Sequence, residues 1–278
     1  MAYRLKKYDC GESIEYEYCY KGRYGAKGEK RARREKVTPE QIARQNQTNR
    51  KNYYRRMIKV NFDRYDLWTT LKLPQGTRLP WEATKKLFSS FRSEMRARYK
   101  KEGESLRFVY RVEIGKRGGI HMHILINRVW KLHTDILITD VWSRVLRKAL
   151  GDDVRTEGLA DYTPLYESGG YDSLAAYLTK APPPESEEYE QLSLFPKKEQ
   201  KSLLAVNSSR NLIRPKPEIQ IRSHWTVRGI IRDGPKPTPG YAIDKESIVC
   251  GINPYTGMSY YRYSETLIRG RPEERWQM

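Results

Sequence analysis

The apolar positions in the central part of the chain repeat every second residue in three short segments. Alternation of this kind places one set of side chains on each face of a strand, so it predicts strands over Leu67–Leu73, Phe108–Ile114 and Ile120–Ile126. A glycine-rich segment, residues 115–119, separates the second strand from the third and is typical of a hairpin turn. A fourth strand is expected to begin near Val154.

Two helical patterns separate these strands. The first runs from Trp81 to about Lys100 and repeats apolar side chains every four residues; the second runs from about Asp140 to Leu150 and ends at Gly151. The resulting order of elements is strand, helix, strand, strand, helix, strand. This βαββαβ pattern predicts an α+β fold with a central antiparallel sheet flanked by helices.

Two of the four histidines, His121 and His123, stand two residues apart in the third strand. Residues at that spacing point to the same face, so the two imidazoles should lie side by side, and Glu113 on the neighbouring strand could lie across from them. Two imidazoles and one carboxylate suit Mg²⁺ or Mn²⁺, with positions open to water or substrate, better than a closed structural zinc site. The alternative is two unrelated histidines on a solvated sheet face.

A tyrosine and a lysine three residues apart add a second element. Tyr177 and Lys180 stand near the end of a helix expected between the glycines at 169–170 and the prolines at 182–184, so both can converge on one phosphate. A nearby cation and a metal-polarised phosphate would favour the phenolate of a group whose ordinary pKa is about 10. Tyr171 falls on another face of such a helix, which predicts a single nucleophile. The alternative is that Tyr177 is a core tyrosine.

Three motifs together resemble those of the HUH endonucleases, specifically the rolling-circle replication initiators of phages, plasmids and integrative elements. The segment Trp68-Thr69-Thr70-Leu71-Lys72 is similar to the family's aromatic-x-Thr-Leu-Thr motif, with lysine in place of the last threonine. His121-Met122-His123 is similar to the metal motif and Tyr177-x-x-Lys180 to the nucleophile motif. Residues 209–216 are similar to a stretch that follows the catalytic domain in Gram-positive relatives.

This resemblance implies an HUH or ferredoxin-like sheet that carries the histidines, and a helix beside it that carries Tyr177. It implies that Tyr177, with Lys180, attacks a phosphodiester of single-stranded DNA or of an origin hairpin, while a divalent metal (Mg or Mn) on His121, His123 and Glu113 polarises the phosphate. A 5′-phosphotyrosine and a free 3′-hydroxyl would form, and the strand would later be rejoined.

Several partners and alternatives follow from the same resemblance. The 3′-hydroxyl could prime a host polymerase, and a host helicase must unwind the DNA because the sequence has no phosphate-binding Gly-x-x-x-x-Gly-Lys-Ser/Thr loop. A conjugative relaxase or a single-strand transposase would use the same chemistry on different DNA. A non-catalytic nucleic-acid-binding protein would need only basic charge and aromatic rings.

The sequence is strongly basic, with a formal net charge of +19 and a pI near 9.7. Such a charge attracts phosphates and makes binding dependent on salt. Much of it lies in the first hundred residues, where a basic segment rich in glycine and tyrosine precedes a polar helix from Pro39 to about Val60. The alternative for that segment is a disordered, solubilising tail. The residues assigned to DNA contact are Lys21, Arg23, Lys27, Arg31, Arg33, Arg34, Lys51, Arg55, Arg56 and Arg210.

Residues 182–201 are acidic and rich in proline, which predicts an extended linker. Within this segment, Gln191-Leu192-Ser193-Leu194-Phe195 is similar to the short motif by which bacterial polymerases and repair proteins dock on the sliding clamp. Gln191 would enter a polar notch, and Leu194 and Phe195 an apolar pocket. The alternative is that Leu192, Leu194 and Phe195 fold back onto the domain.

Four regions are therefore expected: a basic N-terminal extension with a helix (1–64), the catalytic domain (65–181), the linker (182–201) and a small β-rich module (202–278). In the last region, Glu218–Arg222 and Trp225–Ile231 are predicted strands, and a hairpin is expected around residues 253–257. Three cysteines, without a secretory signal or a long apolar segment, favour the reducing cytoplasm of a bacterial host and no membrane contact.

Overall fold

A computed structural model describes residues 2–21, 38–165, 170–253 and 257–268. In chain order its strands are β1 (Ala2–Asp9), β2 (Ser13–Tyr20), β3 (Leu67–Lys72), β4 (Phe108–Ile114), β5 (Ile120–Ile126), β6 (Ala160–Pro164), β7 (Val206–Ser208), β8 (Glu218–Ser223), β9 (Tyr241–Asn253) and β10 (Met258–Leu267). Its α-helices are α1 (Pro39–Asn61), α2 (Trp81–Lys101), α3 (Thr134–Leu150), α4 (Asp172–Thr179), α5 (Glu187–Ser193), α6 (Lys197–Leu203) and α7 (His224–Asp233). Among the described residues, no helix combines the length and the apolar character needed to cross a membrane.

The chain divides into two compact units. The central unit comprises Arg50–Arg55 and Asn61–Ile213, and the terminal unit comprises Met1–Asn49, Arg56–Val60 and Arg214–Met278. Each unit holds one five-stranded antiparallel sheet, so the predicted α+β class is confirmed.

The sheet of the central unit has the strand order β6-β3-β5-β4-β7. Its first four strands, with α2 and α3 between them, are the predicted βαββαβ pattern. Strand β6 begins at Ala160 rather than near Val154, and α3 begins at Thr134, six residues before the predicted start. The fold is consistent with the HUH-like expectation.

One face of this sheet is covered by α2 and α3. Leu71 of β3 and Met122 of β5 are fully buried there against Phe91 and Trp142. Because side chains alternate along a strand, the residues between these buried positions point to the opposite face. That opposite face carries His121 and His123.

The predicted extended linker at residues 182–201 is wrong. The segment forms α5 and α6, and Leu192 and Leu203 are buried in the core of the central unit. Ser186 caps α5 by accepting a hydrogen bond from the backbone N–H of Tyr189 at 3.2 Å. The apolar residues between the charged ones had a core to enter, which the acidic composition alone did not reveal.

The terminal unit brings the two ends of the chain into one sheet, with the strand order β8-β1-β2-β10-β9. Its core contains Tyr3 and Leu5 of β1, Tyr16 and Tyr18 of β2, and Tyr263 of β10. The first twenty residues are therefore not part of a basic extension. Their alternation of tyrosine and leucine with charged residues is a strand signal that the high charge concealed.

Two expectations for the C-terminal region have different outcomes. Strand β8 matches the predicted strand, and β9 and β10 form the expected antiparallel pair. The predicted strand over Trp225–Ile231 is wrong, because that segment is helix α7. Ser223 caps this helix on the N–H of Thr226, and Val227 is buried in the core of the terminal unit, as an amphipathic helix requires.

Candidate metal and nucleophile site

Strands β4 and β5 bring one carboxylate and two imidazoles together. The hairpin register places Glu113 directly opposite His121, and His123 follows on the same face. The ligand atoms of the three side chains all lie within 4.8 Å of one another, and Nε2 of His123 is 3.0 Å from Oε2 of Glu113. We call Glu113, His121 and His123 the Glu-His-His cluster.

Tyr177, on helix α4, points its hydroxyl at this cluster. The hydroxyl donates a hydrogen bond to Oε2 of Glu113 at 2.5 Å and lies 2.8 Å from Nε2 of His123. The Tyr177 side chain is 38% exposed, so it is not a core tyrosine. A short helix thus places the one phenol next to the only group of three metal-ligating side chains found among the described residues.

The local electrostatics favour ready metal ligands. Burial lowers the pKa of His123 below the ordinary value, so its imidazole is neutral near pH 7. Burial would by itself raise the pKa of Glu113, but hydrogen bonds from His121, His123 and Tyr177 outweigh it and hold that pKa well below its ordinary range. Both groups are therefore in the ligating protonation state without any pH change.

Tyr177 is held in its protonated form in this arrangement. Burial raises the pKa of its phenol well above the ordinary tyrosine value, and the hydrogen bond to the Glu113 carboxylate raises the pKa further. The positive charge of Arg111 acts in the opposite direction. The phenol therefore needs a further positive charge nearby before it becomes an effective nucleophile.

Two residues of β3 orient His123. Oγ1 of Thr70 lies 3.0 Å from Nδ1 of His123, and the Trp68 ring stacks on the imidazole with centroids 5.5 Å apart. Metal ligation through Nε2 requires the proton on Nδ1, where the Thr70 hydroxyl can accept it. These residues belong to the motif that the sequence pointed to, but sequence reasoning assigned them no role.

Arg111 supports the nucleophile from below, and sequence reasoning missed it. Its side chain is on the same face of β4 as Glu113, and the residue is only 5% exposed. One guanidinium nitrogen, Nη1, donates to the backbone carbonyls of Tyr177 at 2.6 Å and of Lys180 at 2.8 Å. The alternation of β4 placed Arg111 on the ligand face, and that was the available signal.

Lys180 is the residue that follows α4, and its backbone is extended. It does not stack one turn above Tyr177 as a helical residue would. The two side chains nevertheless line one cavity of about 140 Å³ together with Arg111, Glu113 and Leu192. The cavity joins the phenol, the cluster carboxylate and a solvent-exposed lysine, which suits a bound anion.

Tyr171 takes no visible part in this site. Helix α4 begins after it, at Asp172, and Tyr171 itself is only 3% exposed with left-handed backbone angles (φ 48°, ψ 17°). The rotation argued from a helix containing both tyrosines therefore does not apply. Tyr177 is the tyrosine whose hydroxyl contacts Glu113 and His123.

The donor set fits a divalent cation. Two imidazole nitrogens and one carboxylate converge from a rigid hairpin, one of the imidazoles is backed by Thr70, and none of the three is a thiolate. Such a set suits Mn²⁺ or Mg²⁺ with further positions open to solvent or substrate. The Glu-His-His cluster could therefore hold a divalent metal ion.

The comparison with protein families identifies the segment that contains this site. Residues 66–182 match the family of Replication-associated protein ORF2. The match covers less than half of the chain, and it includes the Glu-His-His cluster, Tyr177 and Lys180. It is consistent with a rolling-circle replication initiator and supports a role in replication initiation. No curated protein matches the chain.

Three cations assigned to DNA contact are engaged in ion pairs. Lys51 and Arg55 bind the carboxylate of Asp172, the first residue of α4, at 2.9 and 3.3 Å. Within the terminal unit, Arg56 binds Glu15 at 2.8 Å and is only 8% exposed. Ion pairing and burial leave the Arg56 guanidinium little surface for a phosphate. The partners lie more than 35 residues away in sequence, so these pairs were not visible in the local pattern.

The other residues assigned to DNA contact differ in placement. Lys21 and Arg210 are exposed at the surface. Five more, Arg23, Lys27, Arg31, Arg33 and Arg34, lie outside the described residues. The replication-associated segment itself contains none of these seven.

The clamp-like pentapeptide lies at the C-terminal end of α5. Leu192 is only 5% exposed and Phe195 packs against the same core, whereas Leu194 is 76% exposed. The Gln191 side chain lies against the β4–β5 turn, where its Oε1 would be 2.7 Å from a Cβ built on Gly118. Two of the three apolar residues thus fold back onto the domain in this conformation, and only Leu194 is presented to a partner.

Proposed function

We propose that this protein initiates rolling-circle replication by nicking single-stranded origin DNA through a tyrosine transesterification. The observation that carries the proposal is the contact of the Tyr177 hydroxyl with Glu113 and His123. A nucleophile and a metal-ligating set meet at one point of a segment that matches a replication-associated family.

In the proposed reaction, Oη of Tyr177 forms a bond to the phosphorus of a DNA phosphodiester, and the bond from phosphorus to the 3′ oxygen breaks. Tyr177 loses its proton to water, and the departing 3′ oxygen takes one up, so no net proton is consumed. A divalent ion on the Glu-His-His cluster would supply polarisation of the phosphate oxygens and favour the phenolate.

The chain's own residues position and stabilise the reacting groups. Arg111 fixes the backbone of Tyr177, and its guanidinium carbon lies 5.8 Å from the centre of the Tyr177 ring. Its positive charge favours the developing phenolate. Lys180, in the same cavity, is placed to attract the phosphate.

The products explain the link to replication. A 5′-phosphotyrosine keeps the energy of the phosphodiester bond, so a later attack by a 3′-hydroxyl on the phosphotyrosine can rejoin the strand without a nucleotide cofactor. The released 3′-hydroxyl can prime a host polymerase while a host helicase unwinds the template. A relaxase or a single-strand transposase would share this chemistry; the family match favours the initiator.

The test uses a single-stranded oligonucleotide from the element's own origin, labelled at its 3′ end in one reaction and at its 5′ end in another. With Mn²⁺ or Mg²⁺, wild type should give a protein band on a denaturing gel that carries only the 3′ label. Tyr177→Phe and His121→Ala should give none, because one lacks the nucleophile and the other a metal ligand.

Two matched variants serve as controls. Tyr189→Phe removes the hydroxyl of a tyrosine with similar exposure on α5, and His133→Ala removes a histidine outside the cluster; both should form the adduct at the wild-type rate. Cleavage that leaves both DNA ends free would indicate a hydrolytic nuclease. Salt-sensitive binding without any adduct, across origin sequences and metals, would indicate a non-catalytic DNA-binding protein.

A further inference from the structure

Four residues of the central unit form a surface patch of two aromatic rings, each covered by an arginine. The ring of Tyr65 meets that of Trp130 edge to face with centroids 6.2 Å apart. The guanidinium of Arg64 lies 4.6 Å above Tyr65, and that of Arg128 lies 3.9 Å above Trp130. We call Arg64, Tyr65, Arg128 and Trp130 the aromatic platform.

The platform is exposed although its rings are large. Trp130 is 56% exposed and Tyr65 39% exposed, and neither belongs to the buried core of the unit. Exposed indole and phenol rings paired with cations contribute little to folding. They are the side chains that proteins use to bind bases and phosphates of single-stranded nucleic acid.

The backbone beneath the platform is fixed by buried polar groups. The Asp66 carboxylate accepts hydrogen bonds from the backbone N–H of Arg128 at 2.6 Å and of Asp63 at 2.8 Å, which ties the start of β3 to the end of β5. Thr134 binds both the N–H and the carbonyl of Val129. A rigid support lowers the entropy cost of stacking a ligand on the rings.

The platform is in line with the nucleophile. Strands β3 and β5 are antiparallel, with the Glu-His-His cluster near one end of the pair and the platform just beyond the other. Between them, Trp68 stacks on His123 and meets Tyr177 edge to face. Aromatic rings therefore continue from the nucleophile along β3 towards the platform.

The separation suits a single DNA strand. Five residues separate Tyr65 from Thr70, which contacts His123, and an extended chain of that length spans at most about 18 Å. Stacked nucleotides in DNA rise about 3.4 Å each, so at most about five of them bridge this distance. One strand can reach both places.

We infer that the aromatic platform is a stacking subsite for the single-stranded DNA whose phosphodiester lies at Tyr177, with bases on Trp130 and Tyr65 and a phosphate near Arg64. The inference rests on the proposed function for the identity of the DNA strand. Arg128 is paired with Asp135 at 2.6 Å, so it supports the Trp130 ring while Arg64, at the exposed edge, supplies the free charge. The net charge of +19 favours a polyanion over an apolar protein surface as the occupant.

The experiment measures binding without cleavage. Fluorescence anisotropy with labelled oligo(dT) of increasing length, without added metal, gives the Kd for wild type, Trp130→Ala, Tyr65→Ala and the control Tyr189→Ala. Loss of one stacking partner should weaken binding roughly 5- to 100-fold for strands long enough to reach the platform, with no effect on the shortest strands. Tyr189→Ala, with similar exposure on α5, should bind as wild type.

A second variant and a second ligand separate stacking from folding and charge. Trp130→Phe keeps a ring and should recover most of the affinity, and abasic strands should bind wild type and Trp130→Ala equally. A Kd for Trp130→Ala and Tyr65→Ala equal to that of the control would overturn the inference. Unchanged Kd with altered self-association in light scattering would assign the patch to a protein contact.

The outcome is independent of the nickase proposal. Weakened binding in the platform variants, in a protein that never forms an adduct, would keep the subsite and remove the transesterification. Normal adduct formation with unchanged binding in the variants would do the reverse.

Discussion

The guanidinium of Arg111 binds the backbone carbonyl of Tyr177 at 2.6 Å. The same nitrogen reaches the carbonyls of Leu178 and Lys180, so a buried side chain of the sheet closes the last turn of the nucleophile helix. Strand β4 therefore supplies both a candidate metal ligand, Glu113, and the group that holds the nucleophile in place.

Replacing Arg111 should slow the chemistry more than it weakens DNA binding. Arg111→Met leaves buried carbonyls without a donor, at a stability cost of about 1–3 kcal/mol, and allows Tyr177 to shift. A displacement of about 1 Å costs a rate factor on the order of 100. Single-turnover adduct formation should show this loss, while the Kd for single-stranded DNA changes less than about threefold.

A conservative variant and a control make the result specific. Arg111→Lys keeps the charge and one donor and should recover part of the rate. Arg92→Met removes another largely buried arginine, which contacts Tyr110 and Met122 on the other face of the sheet, and should cost stability without the selective rate loss. Equal losses of rate and affinity in Arg111→Met would contradict a positioning role.

The periodic signals in the sequence located most of the central unit and its site. The alternation around Glu113, His121 and His123 gave the register of the hairpin, because strand side chains have a fixed period of two. Tyr177 followed from its spacing to the prolines. Arg111 was missed because its partners are backbone carbonyls, which have no sequence signature.

Long-range pairing accounts for what the sequence did not reveal. Strand β1 pairs with β8, more than two hundred residues away, so the N-terminal segment was read as an extension. Lys51 and Arg55 were assigned to DNA because Asp172 is far from them in the chain. A local pattern shows a charge, but not the charge that neutralises it.

Two adjacent threonines offer a matched test of how His123 is held. Thr70→Val removes the hydroxyl 3.0 Å from Nδ1 of His123, so the affinity for Mn²⁺ should fall roughly 10- to 100-fold. Thr69 is fully buried on the opposite face, and no hydrogen-bond partner of its Oγ1 is found among the described residues. Thr69→Val should keep Mn²⁺ affinity and leave the Tm equal or higher.

Calorimetric titration with Mn²⁺ and thermal melts of both variants give these quantities. Equal Mn²⁺ affinity in the two variants would show that Thr70 does not orient a ligand.

Tyr177 should compete with a bound metal ion. Its hydroxyl uses Oε2 of Glu113 and Nε2 of His123, whose lone pairs an ion would need. Tyr177→Phe should therefore bind Mn²⁺ roughly 2- to 10-fold more tightly in titration calorimetry, the equivalent of about one net hydrogen bond. Tyr189→Phe should match wild type, and a Tyr177→Phe affinity at or below the wild-type value would contradict the competition.

Asp66 should make stability depend on pH in the direction opposite to most carboxylates. Burial raises the pKa of Asp66 to about 6, from an ordinary value of 3.8. The folded state then binds the proton more tightly than the unfolded state, so the stabilisation is full below pH 3.8 and is lost as the pH rises through about 6. The loss amounts to about 3 kcal/mol for a shift of this size.

Urea unfolding of wild type and Asp66→Asn at several pH values measures this contribution. The difference between the two free energies of unfolding should fall by that amount between about pH 4 and pH 7, because the asparagine side chain of the variant does not titrate. A difference that stays constant across this range would show that the carboxyl titrates normally.

The most direct test of the central claim is to locate the DNA adduct on the protein. After reaction with origin DNA and nuclease trimming, trypsin should release the modified peptide 156–180, which contains Tyr162, Tyr166, Tyr171 and Tyr177. The account predicts that fragment ions place the nucleotide on Tyr177. A nucleotide on any other residue, or nicked DNA with no modified peptide, would contradict it.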